Sequence, residues 1–474
     1  MRIFLILFFV FIAIFCISQP VIIEGNSVSY AKDTLIFYTY DDYISYKEIE
    51  IGRTVVDDSG SFSLTIDIEK TILSHLYLGI YRGLLFLEPG QKYILKLPTK
   101  SPKGSLEKNN PYFKESDLYL GIFNAHKDEL NFLIKKFDYY FDEYVKMNYS
   151  LIYQSSYKSD VDTALNELRQ LFSFTDNKYF SDYMEYKFAG LRFMAYQRDA
   201  KVVTIKYFLN KPLLLNNIAY MEFFNQVYNN YFTYYGATKD GQNILIDIAM
   251  AKSPHHLKHT LELNYSLDND TLKELVILKG LHDAFYSSPV GEYKSFPRRQ
   301  LLQTLDSMII IGKIPEFKKI AQNIKDKVTR NSLNAGDPAP SFELYDINNQ
   351  LFNSEKLKGK YTYLAFYSVF NYTCMQEIGA LQELYKNHNS DIEIVTIFCD
   401  GENNDIINFT RGNTYDWKLI HYKNQPGILN EYNIKYFPSY ILIDPNWKII
   451  DTTAPSPGEN FQRTFLYILK SKKN

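Results

Sequence analysis

Cysteine is scarce in this chain, which has three in 474 residues: Cys16, Cys374 and Cys399. Small exported domains that cannot build a large core are held together by many disulfides. The scarcity of cysteine therefore excludes a disulfide scaffold. It leaves open whether Cys374 and Cys399 meet, because a bridge needs Cα atoms within about 7 Å and sequence spacing does not supply that distance.

An excess of charge of either sign is also missing. The chain has 52 Lys and Arg against 54 Asp and Glu, which gives a formal net charge of −2. Affinity for nucleic acid comes largely from basic side chains that neutralise phosphates. The composition therefore predicts no nucleic-acid partner and no electrostatic attraction to an anionic membrane. We also predict no cofactor.

The chain begins with an apolar stretch at residues 3–15. This stretch is shorter than the about 20 residues that a membrane-spanning helix needs. It has the length of the apolar part of an export signal, and Cys16 and Ser18 are small residues of the kind that precede a cleavage site. We predict a signal peptide at 1–18, no membrane span after cleavage, and a location in the periplasm or cell envelope. Lipidation of Cys16 is disfavoured by the bulky Phe15 before it, and an uncleaved anchor stays an alternative.

Residues 19–100 contain short runs that alternate apolar with polar side chains and are rich in Val, Ile, Tyr and Phe. A period of two predicts strands with one buried face. Turn residues, among them Gly60 and Gly90, separate these runs. The segment is therefore predicted to form an antiparallel β-sandwich.

Residues 101–332 change to a period of three to four. Between 128 and 148 the apolar side chains at these steps are Leu130, Leu133, Ile134, Phe137, Phe141 and Val145. This spacing is typical of an amphipathic helix, so a helical domain is predicted. His255, His259 and Glu262 would share one face of a helix and could hold a metal. Since the chain has no H-E-x-x-H pattern, we interpret them as a polar helix face and predict no metal site.

In residues 333–474 strand-like runs alternate with helix-like segments, which predicts an α/β domain with a partly parallel sheet. The fold class is therefore multidomain α+β: an N-terminal β-sandwich, a helical middle domain and a C-terminal α/β domain.

Three patterns in the C-terminal domain point to a known family. They are Gly336, Ala339, Pro340, Phe342 and Leu344 in the order G-x-x-A-P-x-F-x-L; Lys358-Gly359-Lys360 before the first core strand; and the stretch 436–444, which matches G-x-P-T-x-x-L-I-D. Together they make residues 335–474 similar to the TlpA/ResA-like redoxins, a branch of the thioredoxin superfamily. The resemblance implies a thioredoxin-like fold and a redox site at the C-x-x-C position.

The chain departs from the family at that position. Asn371 stands where the family has its nucleophilic cysteine, and Cys374 stands at the second, resolving cysteine. An Asn cannot form the mixed disulfide that exchange requires, but it is among the best helix N-cap residues. We expect Cys374 to be a small buried residue, since cysteines in apolar surroundings are usually inert. Ala365 replaces the buried acid of many thioredoxins.

The family's active-site proline is retained as Pro438. The resemblance implies a cis Phe437-Pro438 peptide bond beside the site, and cis bonds are essentially confined to proline. In the superfamily this proline shapes a groove for an extended substrate segment. Phe370, Tyr372, Phe437 and Pro438 are therefore a candidate binding surface for an extended peptide or an envelope protein, although the proline could serve the fold alone.

Two functional hypotheses follow. The first is an exported thioredoxin-fold protein with a degenerate redox site, N-x-x-C in place of C-x-x-C, in a binding or scaffold role. The second is a thiol-disulfide oxidoreductase or peroxidase-like enzyme that uses Cys374 alone. A peroxidase motif needs Pro and Thr where this chain has Tyr367 and Asn371, so the second hypothesis is the weaker one.

The whole arrangement also resembles a Bacteroidetes design in which a DUF4369-type β-domain, here 19–100, precedes helices and a redoxin domain. The N-terminal match is carried by the segments "EGNSV", "DDSGSFS" and "LEPGQKYILKL". The helical match is carried by Asn110-Pro111-Tyr112-Phe113 and Glu129-Leu130-Asn131.

Overall fold

The computed structural model describes residues 19–104, 107, 113–153, 158–250, 254–286, 296–330, 333, 335–412, 414–423, 427–434 and 436–471. The predicted signal peptide, 1–18, lies outside the described residues. Within the described part of the chain, no helix combines the length and hydropathy needed to cross a membrane.

The chain divides into two compact units. The first comprises the described residues within Met1–Ser101 and Glu115–Lys327, and the second those within Pro102–Lys114 and Val328–Asn474. The predicted fold class is confirmed: a β-sandwich, a helical middle region and a C-terminal thioredoxin-like α/β fold. The three domain boundaries stay predictions of the sequence.

The strands of the first unit form two sheets. They are β1 (Gln19–Asn26), β2 (Thr34–Tyr40), β3 (Glu48–Val55), β4 (Ser61–Ile68), β5 (Ile72–Leu78), β6 (Tyr81–Leu87), β7 (Lys92–Lys96), β8 (Ser116–Tyr119) and β9 (Gly121–Ile122). One sheet has the order β4-β1-β7-β9 and the other β3-β2-β5-β6-β8. Most neighbours are antiparallel, while β1 with β7 and β6 with β8 are parallel pairs. Apolar side chains of both sheets meet in one core, as in a β-sandwich.

Helices follow the sandwich along the chain. They are α1 (Leu130–Met147), α2 (Tyr149–Tyr153), α3 (Lys158–Gln170), α4 (Lys178–Ala195), α5 (Ala200–Tyr207), α6 (Ile218–Val227), α7 (Tyr231–Gly236), α8 (Ile244–Ala249), α9 (Pro254–Glu262), α10 (Asp270–Ala284), α11 (Arg298–Ile311) and α12 (Pro315–Arg330). The predicted amphipathic stripe is confirmed for α1, since five of its six apolar positions, all except Val145, are buried. The helices share a core with the five-stranded sheet, to which Leu73 and Phe86 contribute.

A buried asparagine joins the first helix to that sheet. Asn131 Oδ1 accepts a hydrogen bond from the Phe86 backbone N–H at 2.6 Å, and its Nδ2 donates to the Phe86 carbonyl at 2.8 Å. Glu129 caps the same helix by accepting from the backbone N–H groups of Asn131 and Phe132. The Glu129-Leu130-Asn131 segment thus combines a helix cap, a fully buried apolar side chain and a tether to β6.

The second unit is built on one mixed sheet. Its strands are β10 (Glu343–Asp346), β11 (Leu351–Asn353), β12 (Tyr361–Tyr367), β13 (Ile392–Phe398), β14 (Lys418–His421), β15 (Ser439–Ile443) and β16 (Ile449–Asp451), in the order β11-β10-β14-β13-β12-β15-β16. Strands β12, β13 and β14 are parallel, and β15 is antiparallel to β12. Its helices are α13 (Tyr372–His388), α14 (Asn403–Phe409), α15 (Gly427–Glu431) and α16 (Phe461–Ser471).

Both faces of this sheet are covered. Helices α13 and α16 pack on one face, where Cys374, Ile378 and Phe465 belong to the core. The other face carries Cys399 together with Phe342 and Ile428. Two-sided coverage explains why β12 is buried at every position and reads as an apolar run.

Candidate functional site

The turn between β12 and α13 carries the residues that the sequence singled out. Asn371 has extended backbone angles (φ −96°, ψ 121°) and is the N-cap of α13. Its Oδ1 accepts from the backbone N–H of Thr373 at 2.8 Å and of Cys374 at 3.2 Å. The predicted helix cap is therefore confirmed. At an uncapped helix start these N–H groups are available to an anion such as a thiolate, but here the Asn371 side chain occupies them.

The same asparagine reaches the proline loop. Asn371 Nδ2 donates a hydrogen bond to the Phe437 carbonyl at 3.1 Å. The Phe437-Pro438 peptide bond is cis, as predicted. One side chain thus caps the helix and holds the loop that precedes β15, so Asn371 and Pro438 lie at the same place in the fold.

Cys374 lies on the first turn of α13 and faces the core. It is 0% exposed and carries a free thiol. Burial, with a smaller contribution from the nearby carboxylates of Asp400 and Glu377, raises the pKa of the Cys374 thiol to about 12. The predicted burial is confirmed, and a thiol with this pKa has almost no thiolate at neutral pH.

Cys399 follows β13 and is also fully buried with a free thiol. It belongs to the core on the opposite face of the sheet from Cys374, and its thiol donates to the Ile397 carbonyl at 3.3 Å. Burial holds the pKa of Cys399 well above its usual value. The two cysteines are therefore packed into separate cores as reduced side chains.

Asp400 is a half-buried acid that sequence reasoning missed. Its Oδ1 accepts from the Val369 backbone N–H at 2.8 Å, and burial raises the pKa of its carboxyl. Next to it on β14, His421 is buried, and burial lowers the pKa of its imidazole. Both residues lie at the carboxyl ends of parallel strands, where α/β folds gather functional side chains. Their position directly at the ends of predicted strands was the feature of the sequence that could have identified them.

A chain of hydroxyl groups leads from the core to Glu377. The Tyr440 hydroxyl donates to Glu377 Oε2, and the hydroxyls of Tyr367 and Tyr440 are 2.8 Å apart. Because Tyr440 uses its one proton toward the carboxylate, Tyr367 must donate to Tyr440. Tyr440 is also stacked on Tyr363, with ring centroids 5.2 Å apart. Glu377 therefore projects from α13 in a fixed orientation, held by residues of β12 and β15.

Exposed aromatic side chains surround the junction of Asn371 and Phe437. Phe370 is 66% exposed, Tyr372 70% and Tyr436 60%, whereas large apolar side chains are normally buried. Phe370 and Tyr372 flank Asn371, and Tyr436 precedes Phe437 in the bonded loop. We call the surface formed by Phe370, Tyr372, Phe437 and Pro438 the Pro438 groove.

Two side chains of the histidine cluster in α9, His259 and Glu262, pair with one another. His259 Nδ1 lies 3.1 Å from Glu262 Oε2, and the same carboxylate lies 3.5 Å from Lys273 Nζ. Among the residues that the structure describes, no group of three or more His, Cys, Asp or Glu side chains is placed to bind a metal ion. The geometry agrees with a polar helix face.

Comparison with known proteins places the similarity in the second unit. A family model described as thioredoxin-like matches residues 359–449. The thiol-disulfide oxidoreductase ResA of Bacillus subtilis is 23% identical over 142 residues, which cover 30% of this chain and 79% of ResA. The thioredoxin-like protein YneN of the same organism is 26% identical over 117 residues, covering 24% of this chain and 69% of YneN. Among solved structures, the thioredoxin domain of a thiol-disulfide oxidoreductase from Bacteroides vulgatus is 22% identical, with a TM-score of 0.27, and covers 29% of this chain and 99% of that one.

Proposed function

We propose that this chain is an exported thioredoxin-fold protein that binds an extended polypeptide segment in the Pro438 groove without exchanging disulfides. The observation that carries this proposal is the side chain of Asn371. It stands at the position of the family's nucleophile, has no thiol, and occupies the helix N–H groups of Thr373 and Cys374.

The loss of exchange chemistry rests on the state of the thiol that remains. Disulfide exchange begins with attack by a thiolate on a disulfide sulfur. Cys374 is fully buried and burial raises its pKa to about 12, so both access and ionisation oppose attack. In this proposal, the N-x-x-C motif from Asn371 to Cys374 is a degenerate C-x-x-C site.

The binding role rests on the exposed surface beside it. Aromatic side chains supply large contact areas and are enriched at binding hot spots. The Pro438 groove presents two strongly exposed aromatic residues, Phe370 and Tyr372. The partner is in this proposal an extended segment of an envelope protein, and the location is the periplasm or cell envelope, supported by the predicted signal peptide.

We propose that the β-sandwich and the helices act as a scaffold. Residues 19–100 are in this view a DUF4369-like β-domain. The support is the sandwich fold together with the role of Glu129-Leu130-Asn131, which fastens the first helix to β6.

A direct binding test uses reduced, carboxymethylated lactalbumin, an unfolded polypeptide without free thiols. We expect saturable binding by fluorescence anisotropy that weakens about tenfold in the double variant Phe370→Ala, Tyr372→Ala, since losing a hot-spot aromatic costs about 1–2 kcal/mol or more. Tyr467→Ala is the matched control, because Tyr467 is 75% exposed on α16. Absence of saturable binding, or equal loss in the control, contradicts the proposal.

The second candidate is thiol-disulfide oxidoreductase activity through Cys374 alone. The observation in its favour is the similarity of the second unit to proteins named thiol-disulfide oxidoreductases. In this mechanism the Cys374 thiolate would attack a substrate disulfide, form a mixed disulfide with one sulfur and release the other as a thiol after protonation. It requires α13 to expose Cys374.

A further inference from the structure

A cavity of about 480 Å³ opens beside Pro438 in the second unit. Its wall includes Glu377, Tyr436, Tyr440, Ser456 and Glu459. The volume falls within the range of pockets that hold small ligands. Pro438 belongs both to this wall and to the Pro438 groove, so the cavity adjoins the groove at that residue.

The charged side chains that the structure describes in the cavity wall are all acidic. Glu377 and Glu459 supply two carboxylates, and the described residues that line the cavity include no Lys or Arg. Within the described part of the chain, neither carboxylate forms a salt bridge. Glu377 accepts one hydrogen bond, from Tyr440, and a carboxylate can accept several. The cavity thus offers negative charge and free acceptor capacity.

A second observation also points to a ligand. The Ser456 hydroxyl lies in the cavity wall, its residue is 8% exposed, and its Oγ has no hydrogen-bond partner within the described structure. A buried polar group without a partner costs about 1–3 kcal/mol. A ligand that brings N–H donors would satisfy this oxygen.

The aromatic residues of the wall suit the same ligand. Tyr432, Tyr436 and Tyr440 line the cavity, and cations are attracted to the faces of aromatic rings. The chemistry of the wall therefore matches an alkyl cation, with an apolar stem and a charged end that donates hydrogen bonds.

We propose that this cavity binds the side chain of a lysine or arginine within the polypeptide segment that lies in the Pro438 groove. The cation pairs with Glu377 and donates to Ser456 Oγ, while Glu459 attracts it at the exposed mouth. Tyr440 acts as a positioning residue that fixes the Glu377 carboxylate. This inference rests on the proposed function, because it names a residue type that the groove selects.

The first arm of the test measures the cavity alone. Nα-acetyl-lysine methylamide, its arginine analogue and its norleucine analogue are titrated into the full chain and followed by ligand-observed NMR. The lysine or arginine compound is expected to bind, and the norleucine compound, which has the stem but no charge, is expected to bind at least about tenfold more weakly, as for the loss of a charged hydrogen bond. Comparison of the lysine and arginine compounds shows which cation the cavity prefers.

The variants locate the binding site. Glu377→Gln keeps the shape and the acceptor for Tyr440 but removes the charge, and it is expected to weaken binding of the cationic compound about tenfold or more. Ser456→Ala is expected to weaken it by a smaller factor. Glu383→Gln is the matched control, because Glu383 is an exposed carboxylate of the same helix, and it is expected to leave binding unchanged.

The second arm of the test measures peptide binding in the Pro438 groove. Fluorescent extended peptides with lysine, arginine or norleucine at the centre are compared by anisotropy. Preference for a cationic centre that is lost in Glu377→Gln supports the inference. Equal binding of the charged and norleucine peptides, or equal effects of Glu377→Gln and Glu383→Gln, overturns it and leaves groove binding intact. If no peptide binds, the proposed function fails and this inference fails with it, whereas binding of the small cation alone would still identify the cavity as a cation site.

Discussion

At the scale of single residues, Asn371 is the side chain that links the start of α13 to the proline loop. A cysteine at the start of a helix is activated because the first N–H groups and the helix dipole stabilise its thiolate. Asn371 uses the same N–H groups for capping and adds a bond to Phe437. Asn371 therefore has a structural role whose contribution is measurable as stability.

We predict that Asn371→Ala lowers the free energy of unfolding of the second unit by about 1–2 kcal/mol, the usual cost of removing an N-cap. Asn371→Ser keeps a capping oxygen and should recover most of that loss. Urea denaturation followed by circular dichroism measures both. Equal stability of the alanine variant and the wild type would contradict the capping role.

The second residue-scale prediction concerns Cys374. Because burial raises its pKa to about 12, the group holds its proton across neutral pH, and only strongly alkaline solution would ionise it in the folded state. Alkylation by iodoacetamide at neutral pH should be at least about 100-fold slower in the folded than in the denatured chain, where a thiol has a pKa near 8.5.

Peptide mapping after digestion separates Cys374 from Cys399, which serves as a second buried reference. Labelling of native Cys374 at the rate of the denatured chain would show an accessible thiol and would favour the oxidoreductase hypothesis.

The sequence predicts interactions between residues that are close along the chain better than interactions between distant residues. The cap and the cis Phe437-Pro438 bond depend on neighbouring residues and on the family pattern, and both predictions are confirmed. The Glu377–Tyr440 contact joins residues 63 positions apart, brought together where β12 pairs with β15. No spacing rule in the sequence reports such contacts.

At the scale of secondary-structure elements, the five-stranded sheet is the central feature of the first unit. The alternation in 19–100 correctly predicted strands and a sandwich. It did not predict that the outer face of that sheet is buried by helices, where Leu73 and Phe86 join the helical core. A second apolar face is visible in a sequence, but the partner that covers it is not.

The contact between α1 and β6 provides an element-scale prediction. Asn131 satisfies both backbone groups of Phe86 in a buried position. Asn131→Ala leaves that N–H and carbonyl unpaired, so we expect a loss of about 3 kcal/mol in the free energy of unfolding of the first unit.

Asn124→Ala is the matched control. Asn124 is exposed and makes the same kind of paired contact, accepting from the Ile94 N–H at 2.9 Å and donating to the Lys92 carbonyl at 2.7 Å. Water can replace these exposed bonds, so the expected loss is below about 1 kcal/mol. Similar losses of unfolding free energy in both variants would show that burial does not increase the contribution of Asn131 to stability.

At the scale of the whole molecule, the described residues form two compact units, and the sandwich and the helices of the first unit share a core. The second unit has two cores of its own, one on each face of its sheet. The redox question belongs to the second unit, and the export signal at 1–18 stays a prediction.

The central claim is that the thioredoxin-like fold is retained while its disulfide chemistry is lost. Dithiothreitol-dependent reduction of insulin tests this most directly, with the full chain compared with Cys374→Ser and Asn371→Cys. We predict that the wild type and Cys374→Ser match the uncatalysed rate, whereas Asn371→Cys, which restores a thiol at the helix N-terminus, gains measurable turnover. Robust turnover by the wild type that disappears in Cys374→Ser would contradict the account.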